Sequence, residues 1–161
     1  MHESCWQGRE RDMIRKAKIR DVLPVKRLIE PFARQRVILP LSLNMLYRSL
    51  RDFWVMESSG EIVACCALKI FWEDLGEIRT LVVKKEDQGK GLGSSMVSAC
   101  IEEARDIELR KVFALTYVPE FFEKLGFKEV EKSSLPHKIW EDCINCPYFP
   151  ECREIAMTLH L

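Results

Sequence analysis

The sequence predicts an α/β fold of the α+β kind, a mixed central β-sheet with helices on both faces, and three observations carry that prediction. Runs of β-type composition alternate with segments of helical periodicity, in the order strand, helices, three strands, helix, strand, helix, two strands. The run from Glu61 to Phe71 is almost wholly apolar, as a central strand covered on both faces must be. Between a β-rich run ending at Val83 and a helical one lies Gln88-Gly89-Lys90-Gly91-Leu92-Gly93, a glycine turn that hands the chain from sheet to helix.

The elements follow in order. Residues 1–11 read as a flexible leader, and 12–161 as a single domain that includes a cysteine-containing segment, 137–152. Met13 to Lys18 is a first strand; Asp21 can cap a helix through Val22, Val25, Leu28, Ile29 and Phe32, with Pro24 tolerated in its first turn. Leu43 to Leu50 is a second, shorter helix. The connection between them, with Arg34, Arg36 and Leu39-Pro40-Leu41-Ser42, either lines a substrate pocket or is an ordinary linker. Asp52 to Glu57 and Glu61 to Phe71 pair around Ser58-Ser59-Gly60; Asp74-Leu75-Gly76 makes the next turn, and a strand begins at Glu77. The helix Gly91 to Arg105 has Glu102, Glu103 and Asp106 off its apolar stripe, as a solvated face. Lys111 to Thr116 is a strand, Glu120 to Leu125 a short helix closed by Gly126, and Phe127 to Val130 and Glu154 to Leu159 complete the sheet.

Composition narrows the function. The chain has 25 basic and 25 acidic residues, which supports neither a nucleic-acid footprint nor a membrane-binding patch and favours a small-molecule substrate. The start of the chain lacks the apolar core of a signal peptide, and the longest apolar run, Ile62 to Leu68, is too short to span a bilayer, so a cytoplasmic protein is expected. Seven cysteines then read as thiols or metal ligands rather than a disulfide framework. Cys143-Ile144-Asn145-Cys146 followed by Cys152 could hold a structural zinc with His137 or a side chain from a partner as fourth ligand; a disulfide from Cys143 or Cys146 to Cys152, or buried thiols, are the competing readings. Cys65, Cys66 and Cys100 lie in apolar runs, as core residues do.

A glycine turn opening a helix presents backbone N–H groups and the positive end of the helix dipole, an anion site that suits a diphosphate. A dinucleotide fingerprint lacks its third glycine here, and a P-loop lacks Lys-Ser/Thr after Gly93. A tight turn using glycine for geometry alone competes with the cradle.

Gln-x-x-Gly-x-Gly at residues 88–93 resembles the acetyl-CoA signature of the GNAT acetyltransferases, and Tyr117 to Phe127, a short helix ending in Leu125-Gly126-Phe127 after the fifth strand, is similar to a second hallmark of that superfamily. Phe113-Ala114-Leu115-Thr116-Tyr117, Phe121-Phe122, Leu135 to Trp140 and the segment ending in Ile155-Ala156-Met157 resemble the acetyltransferase domain of bacterial N-acetylglutamate synthases, in a short single-domain form without the amino-acid-kinase domain. The resemblance implies a GNAT fold, acetyl-CoA as cosubstrate and acetylation of an amino-acid α-amine, L-glutamate foremost, in arginine biosynthesis. It leaves open another small amine, a protein N-terminus, a catalytically silent CoA-binding regulatory domain, and a homodimer.

The residues divide accordingly. Gln88, Gly89, Lys90, Gly91, Leu92, Gly93 and Ser94 would grip the diphosphate, and the main chain of Leu81, Val82 and Val83 would pair with the pantetheine amides. Strand alternation places Glu77, Arg79, Leu81 and Val83 on one face, with Ile78, Thr80 and Val82 on the other. Glu77 stands where many GNAT enzymes carry a glutamate general base, although a structural contact with Arg79 competes with that role. Where the superfamily usually has a tyrosine acid this chain has Phe122, so Tyr117 becomes the candidate proton donor. Arg79, Lys138 and Arg153, with Arg34 and Arg36 behind them, are candidates for the substrate carboxylates, and Leu41 replaces a basic residue of the family pattern.

Overall fold

The computed structural model describes residues 12–136 and 153–161; the leader and the whole cysteine segment lie outside them. Among the described residues seven strands form one sheet: β1 (Asp12–Lys16), β2 (Phe53–Ser58), β3 (Glu61–Trp72), β4 (Leu75–Val83), β5 (Lys111–Thr116), β6 (Lys128–Val130) and β7 (Ile155–His160), in the spatial order β1-β2-β3-β4-β5-β7-β6. Every neighbouring pair is antiparallel except β4 and β5, which run parallel. The helices are α1 (Val22–Arg34), α2 (Leu43–Arg48), α3 (Leu92–Asp106) and α4 (Pro119–Glu123). The parallel pair requires a crossover, and α3 supplies it.

The two faces are covered by different helices, as predicted. Val22, Val25, Leu28 and Ile29 of α1 and Leu46 of α2 pack on Val55, Cys65, Ala67 and Val82. On the opposite face Leu92, Met96, Val97, Cys100 and Ile101 of α3, with Phe122 of α4, pack on Ala64, Cys66, Leu68 and Ile78. The apolar run in β3 is thus buried on both sides. The second helix begins at Leu43 because the Ser42 hydroxyl accepts the Met45 amide, a serine N-cap.

Three expectations from local sequence yield to tertiary contacts. Asp21 precedes α1 but does not cap it through its side chain; Arg15 Nη1 and Nη2 donate to its carboxylate at 2.7 and 3.0 Å and the Lys18 amide at 2.7 Å. A charged bidentate partner outcompetes a helix amide for the same oxygens. Gly76 is no turn residue but sits within β4, where a Cβ would approach Leu109 Cδ1 to 2.8 Å; the glycine makes room for that side chain. Glu103 does not belong to a purely solvated face, since Lys16 Nζ donates to it at 2.9 Å and Trp54 Nε1 at 3.1 Å, tying α3 to β1 and β2.

Candidate active site

The β4–β5 ladder is short. It joins Leu75 to Lys111, Gly76 to Val112 and Glu77 to Phe113, and stops there. Beyond Glu77, β4 stays with β3, whereas β5 continues along β7 from Ala114–Met157 to Thr116–Ile155. The sheet therefore opens between its two parallel strands, leaving one backbone edge of β4 from Arg79 onward without a β5 partner.

A bulge lies on this edge. Between the pairs Ala67–Arg79 and Cys65–Val82, β3 advances two residues and β4 three, and Thr80 takes φ 53°. The extra residue reverses the alternation: Val82 joins Glu77 and Arg79 on the α1 face, while Leu81 and Val83 turn to the α3 face with Ile78. The expectation that Leu81 and Val83 share the Glu77 face is corrected accordingly. Cysteines meet the displaced carbonyls, Cys65 Sγ donating to Thr80 O at 3.5 Å and Cys66 Sγ to Arg79 O at 3.8 Å.

The open edge leads to the glycine turn. Gly89 and Gly91 have φ 79° and 81°, and a Cβ on either would meet nothing within 4 Å, so glycine serves the left-handed backbone there rather than a crowded space. Gly91 is the N-cap of α3 without any side-chain bond, which leaves the first-turn amides of Leu92, Gly93 and Ser94 pointing out of the helix end. At Gly93 a Cβ would meet Phe121 Cζ at 3.4 Å, an ordinary van der Waals contact, so α3 packs on α4 here without a need for glycine. Gln88 and Lys90 engage locally: Gln88 Nε2 donates to Val83 O at 3.0 Å, locking the turn to the end of β4, and Lys90 Nζ donates to Asp87 Oδ1 at 3.3 Å. With both side chains engaged locally, the groups that the turn leaves pointing outward are main-chain amides.

Glu77 stands at the closed end of the opening, 8% exposed, with Arg79 Nη1 3.7 Å from its carboxylate. Its cross-strand neighbour on β3 is Lys69, whose ammonium lies 5.1 Å from the Phe71 ring centroid; its neighbour on β5 is Phe113. Lys69 was missed in the sequence, where its one signal is a charge interrupting an apolar strand. Nearby, burial pushes the Asp52 carboxyl up, against the pull of Lys16, Lys69 and Arg79.

Tyr117 is exposed, four positions beyond Phe113, the parallel partner of Glu77. Phe122 is 5% exposed and meets Phe121 and Phe127 edge-on, at centroid distances of 5.0 and 5.1 Å; it is a core residue. Arg153, Arg34 and Arg36 are exposed, and Arg34 pairs with Glu30 at 3.8 Å. Leu41 is buried, and Lys26 of α1 donates to its carbonyl at 2.6 Å, so a cation reaches this place from a different element. Lys138 and the four candidate zinc ligands, His137, Cys143, Cys146 and Cys152, lie outside the described residues, among which no cluster of three metal-ligating side chains occurs. Cys65, Cys66 and Cys100 are fully buried free thiols, as expected of core cysteines. A cavity of about 880 Å³ between α1 and the loop after β4 touches the turn at Gln88 and includes neither Glu77 nor Arg79.

The chain and its fold have counterparts in known proteins. The model of the acetyltransferase (GNAT) family matches residues 20–127. An N-acetyltransferase of Chlorobaculum tepidum is 36% identical over 90% of this chain and 94% of its own. An amino-acid acetyltransferase of Mycobacterium tuberculosis is 36% identical over 82% of this chain and 77% of its own. N-acetylglutamate synthase from Neisseria gonorrhoeae, solved with coenzyme A and N-acetyl-glutamate, superposes with a TM-score of 0.86 at 28% identity, over 93% of this chain and 35% of that longer one.

Proposed function

Because the chain belongs to the acetyltransferase (GNAT) family, an acetyl-CoA-dependent acyltransferase family whose similar members include amino-acid acetyltransferases, we propose that it carries the acetyl group of acetyl-CoA to the α-amine of L-glutamate, as an N-acetylglutamate synthase of arginine biosynthesis. The observation that carries the reading is the continuous path from the glycine turn, along the open edge of β4, to the buried Glu77 and its partner Arg79.

On this path the turn amides of residues 88–94 hold the diphosphate, and the β4 edge at Leu81 to Val83 meets the pantetheine arm as an added strand would. The thioester then lies toward the closed end of the opening. Glu77 takes a proton from the acceptor ammonium, directly or through water; the amine attacks the thioester carbonyl, a C–N bond forms, and the C–S bond breaks. The departing thiolate takes a proton from Tyr117 or leaves as the anion. Arg79, with Lys69 beside Glu77, supplies positive charge for the carboxylates of the acceptor. The reading of the N. gonorrhoeae synthase bound to N-acetyl-glutamate supports glutamate as that acceptor. Seven cysteines, three of them buried free thiols, suit a reducing compartment, the cytoplasm.

Free-thiol release from acetyl-CoA across the amino acids tests the proposal. Release that depends on glutamate supports it, and release with a different amine reassigns the acceptor. Binding of CoA without turnover would make the chain a regulatory CoA-binding domain, the reading that the core role of Phe122 and the leucine at position 41 favour.

A further inference from the structure

The cavity of about 880 Å³ between α1 and the loop after β4 lies off the path to Glu77, and its size falls in the range of roughly 300–1,000 Å³ typical of small-molecule sites. One wall is a single face of α1, recurring at Pro24, Arg27, Leu28 and Pro31; the others are the β2–β3 turn at Gly60 and the loop from Lys84 to Gln88. Of the glycine turn it reaches Gln88 and none of residues 89–94.

The charges along it are unequally engaged. Arg15 holds Asp21 at 2.7 Å and Glu57 at 3.3 Å, Lys84 holds Glu61 at 3.4 Å, and Arg20 adds its field to Asp21. Arg27 from α1 and Lys85 from the loop remain, with Glu86; none of these three has an ion-pair or side-chain hydrogen-bond partner among the described residues. Between the two cations the lining is apolar, with Leu28, Phe32 and Ile62. Uncommitted cations, one on each wall, suit an acidic group, and the apolar lining suits a flat hydrocarbon or aromatic body attached to it.

The loop joins this cavity to the turn. The Lys84 amide donates to Val63 O at 2.8 Å, and Gln88 Nε2 donates to Val83 O at 3.0 Å. Between these two anchors Lys85 and Glu86 are exposed, and the chain then passes to Gly91, the N-cap of α3. An occupant packed on the loop orders it before CoA arrives, so CoA binding costs less conformational freedom, and by linkage the gain is mutual.

We propose that this cavity is an effector site for an organic anion with a flat apolar body, and that its occupant tightens CoA binding through the loop shared with the glycine turn. The coupling rests on the acetyl-CoA reading of that turn. Anilinonaphthalene sulfonate, a flat apolar anion whose fluorescence rises on leaving water, is the probe. The folded wild type binds about one probe per chain. Arg27→Glu, which breaks no bond to a described side chain, weakens the probe about tenfold or more. Lys128→Glu, the same charge change on β6 and outside the cavity, stays within about twofold of wild type. Wild-type affinity in Arg27→Glu, or an equal loss in Lys128→Glu, overturns the site.

In the wild type, saturating probe lowers the Kd of CoA about fivefold, and CoA lowers that of the probe by the same factor. A Kd for CoA that does not respond overturns the effector role. Displacement of the probe by CoA makes the cavity part of the CoA site and overturns the proposal as a whole. A wild type that holds probe and CoA together, each tightening the other, but releases no thiol with any amino acid removes the acetyl-transfer reading and supports the effector site.

Discussion

Two acid–base pairs, each a buried carboxylate with a half-buried arginine, lie on the α1 face of the sheet, and they are built differently. At its edge, Arg15 meets Asp21 with two bonds of 2.7 and 3.0 Å, reaches Glu57 at 3.3 Å, and leaves the Lys18 amide to complete the Asp21 shell. At its centre, Glu77 and Arg79 approach only to 3.7 Å, on one strand, beside an opening in the sheet. The first pair joins β1 to the start of α1 and has the geometry of a staple. The second is a wider contact, at 3.7 Å between two residues of one strand. A close, multiply bonded pair resists substitution of its partners by a ligand; a wider one beside an opening can exchange them.

Removing the acid from each pair gives the sharpest separation. Glu77→Gln lowers kcat by about 10²-fold or more, flattens the acid limb of the pH–rate profile and leaves CoA affinity within about twofold. If the profile keeps its shape, Glu77 is structural and the two pairs are alike. Asp21→Ala removes two of the bonds of the half-buried Arg15 guanidinium, leaving it Glu57 and the Lys16 carbonyl, and costs about 2 kcal/mol by denaturant titration, with kcat unchanged in the folded protein; an intact Cm would take the staple away from Asp21.

The pH dependence of stability separates the pairs again. Burial would raise the Asp21 carboxyl, yet the Arg15 hydrogen bonds and the Lys18 amide hold it below the usual range. Because its folded value is depressed, its contribution is complete above the unfolded value of about 4 and is lost as pH falls through the lower folded value. Asp21→Asn therefore removes part of the acid-induced loss of stability that the wild type shows below about pH 4. An unchanged acid limb would mean that other carboxylates govern it.

Smaller effects probe what the central pair serves. Arg79→Ala raises the KM for the acceptor about tenfold and leaves CoA binding intact, the reverse of what an edit to the turn produces; a parallel loss of CoA binding would tie Arg79 to the strand rather than to the acceptor. Gly91→Ala places a side chain at φ 81°, in open space, so it costs about 1 kcal/mol in stability through the backbone alone and weakens CoA several-fold by shifting the first-turn amides of α3. Unchanged CoA affinity in Gly91→Ala would leave the turn a connector.

Much of this arrangement was legible in the residues themselves. The alternation of β-type and helical runs, the apolar character of β3 and the glycine spacing are local properties, and the elements they predict form within a residue or two of their expected ends. Less legible were the bonds that cross the sheet. Asp21 has the composition of a helix cap, and only the arrival of Arg15 from β1 makes it something else. Lys69 is one charge in an apolar strand until the β3–β4 register sets it beside Glu77.

The sequence by itself determined that a strand would pass through a glycine turn into a helix, and that an acid and a base two residues apart on that strand would share a face, because period and glycine geometry are properties of neighbours along the chain. Only the tertiary structure decided that Thr80 is inserted, that Leu81 and Val83 cross to the other face, and that β5 leaves β4 after Glu77. Threonine has no local preference for a positive φ; it is held there because Arg79 and Val82 are each committed to a β3 partner and the chain between them is one residue too long.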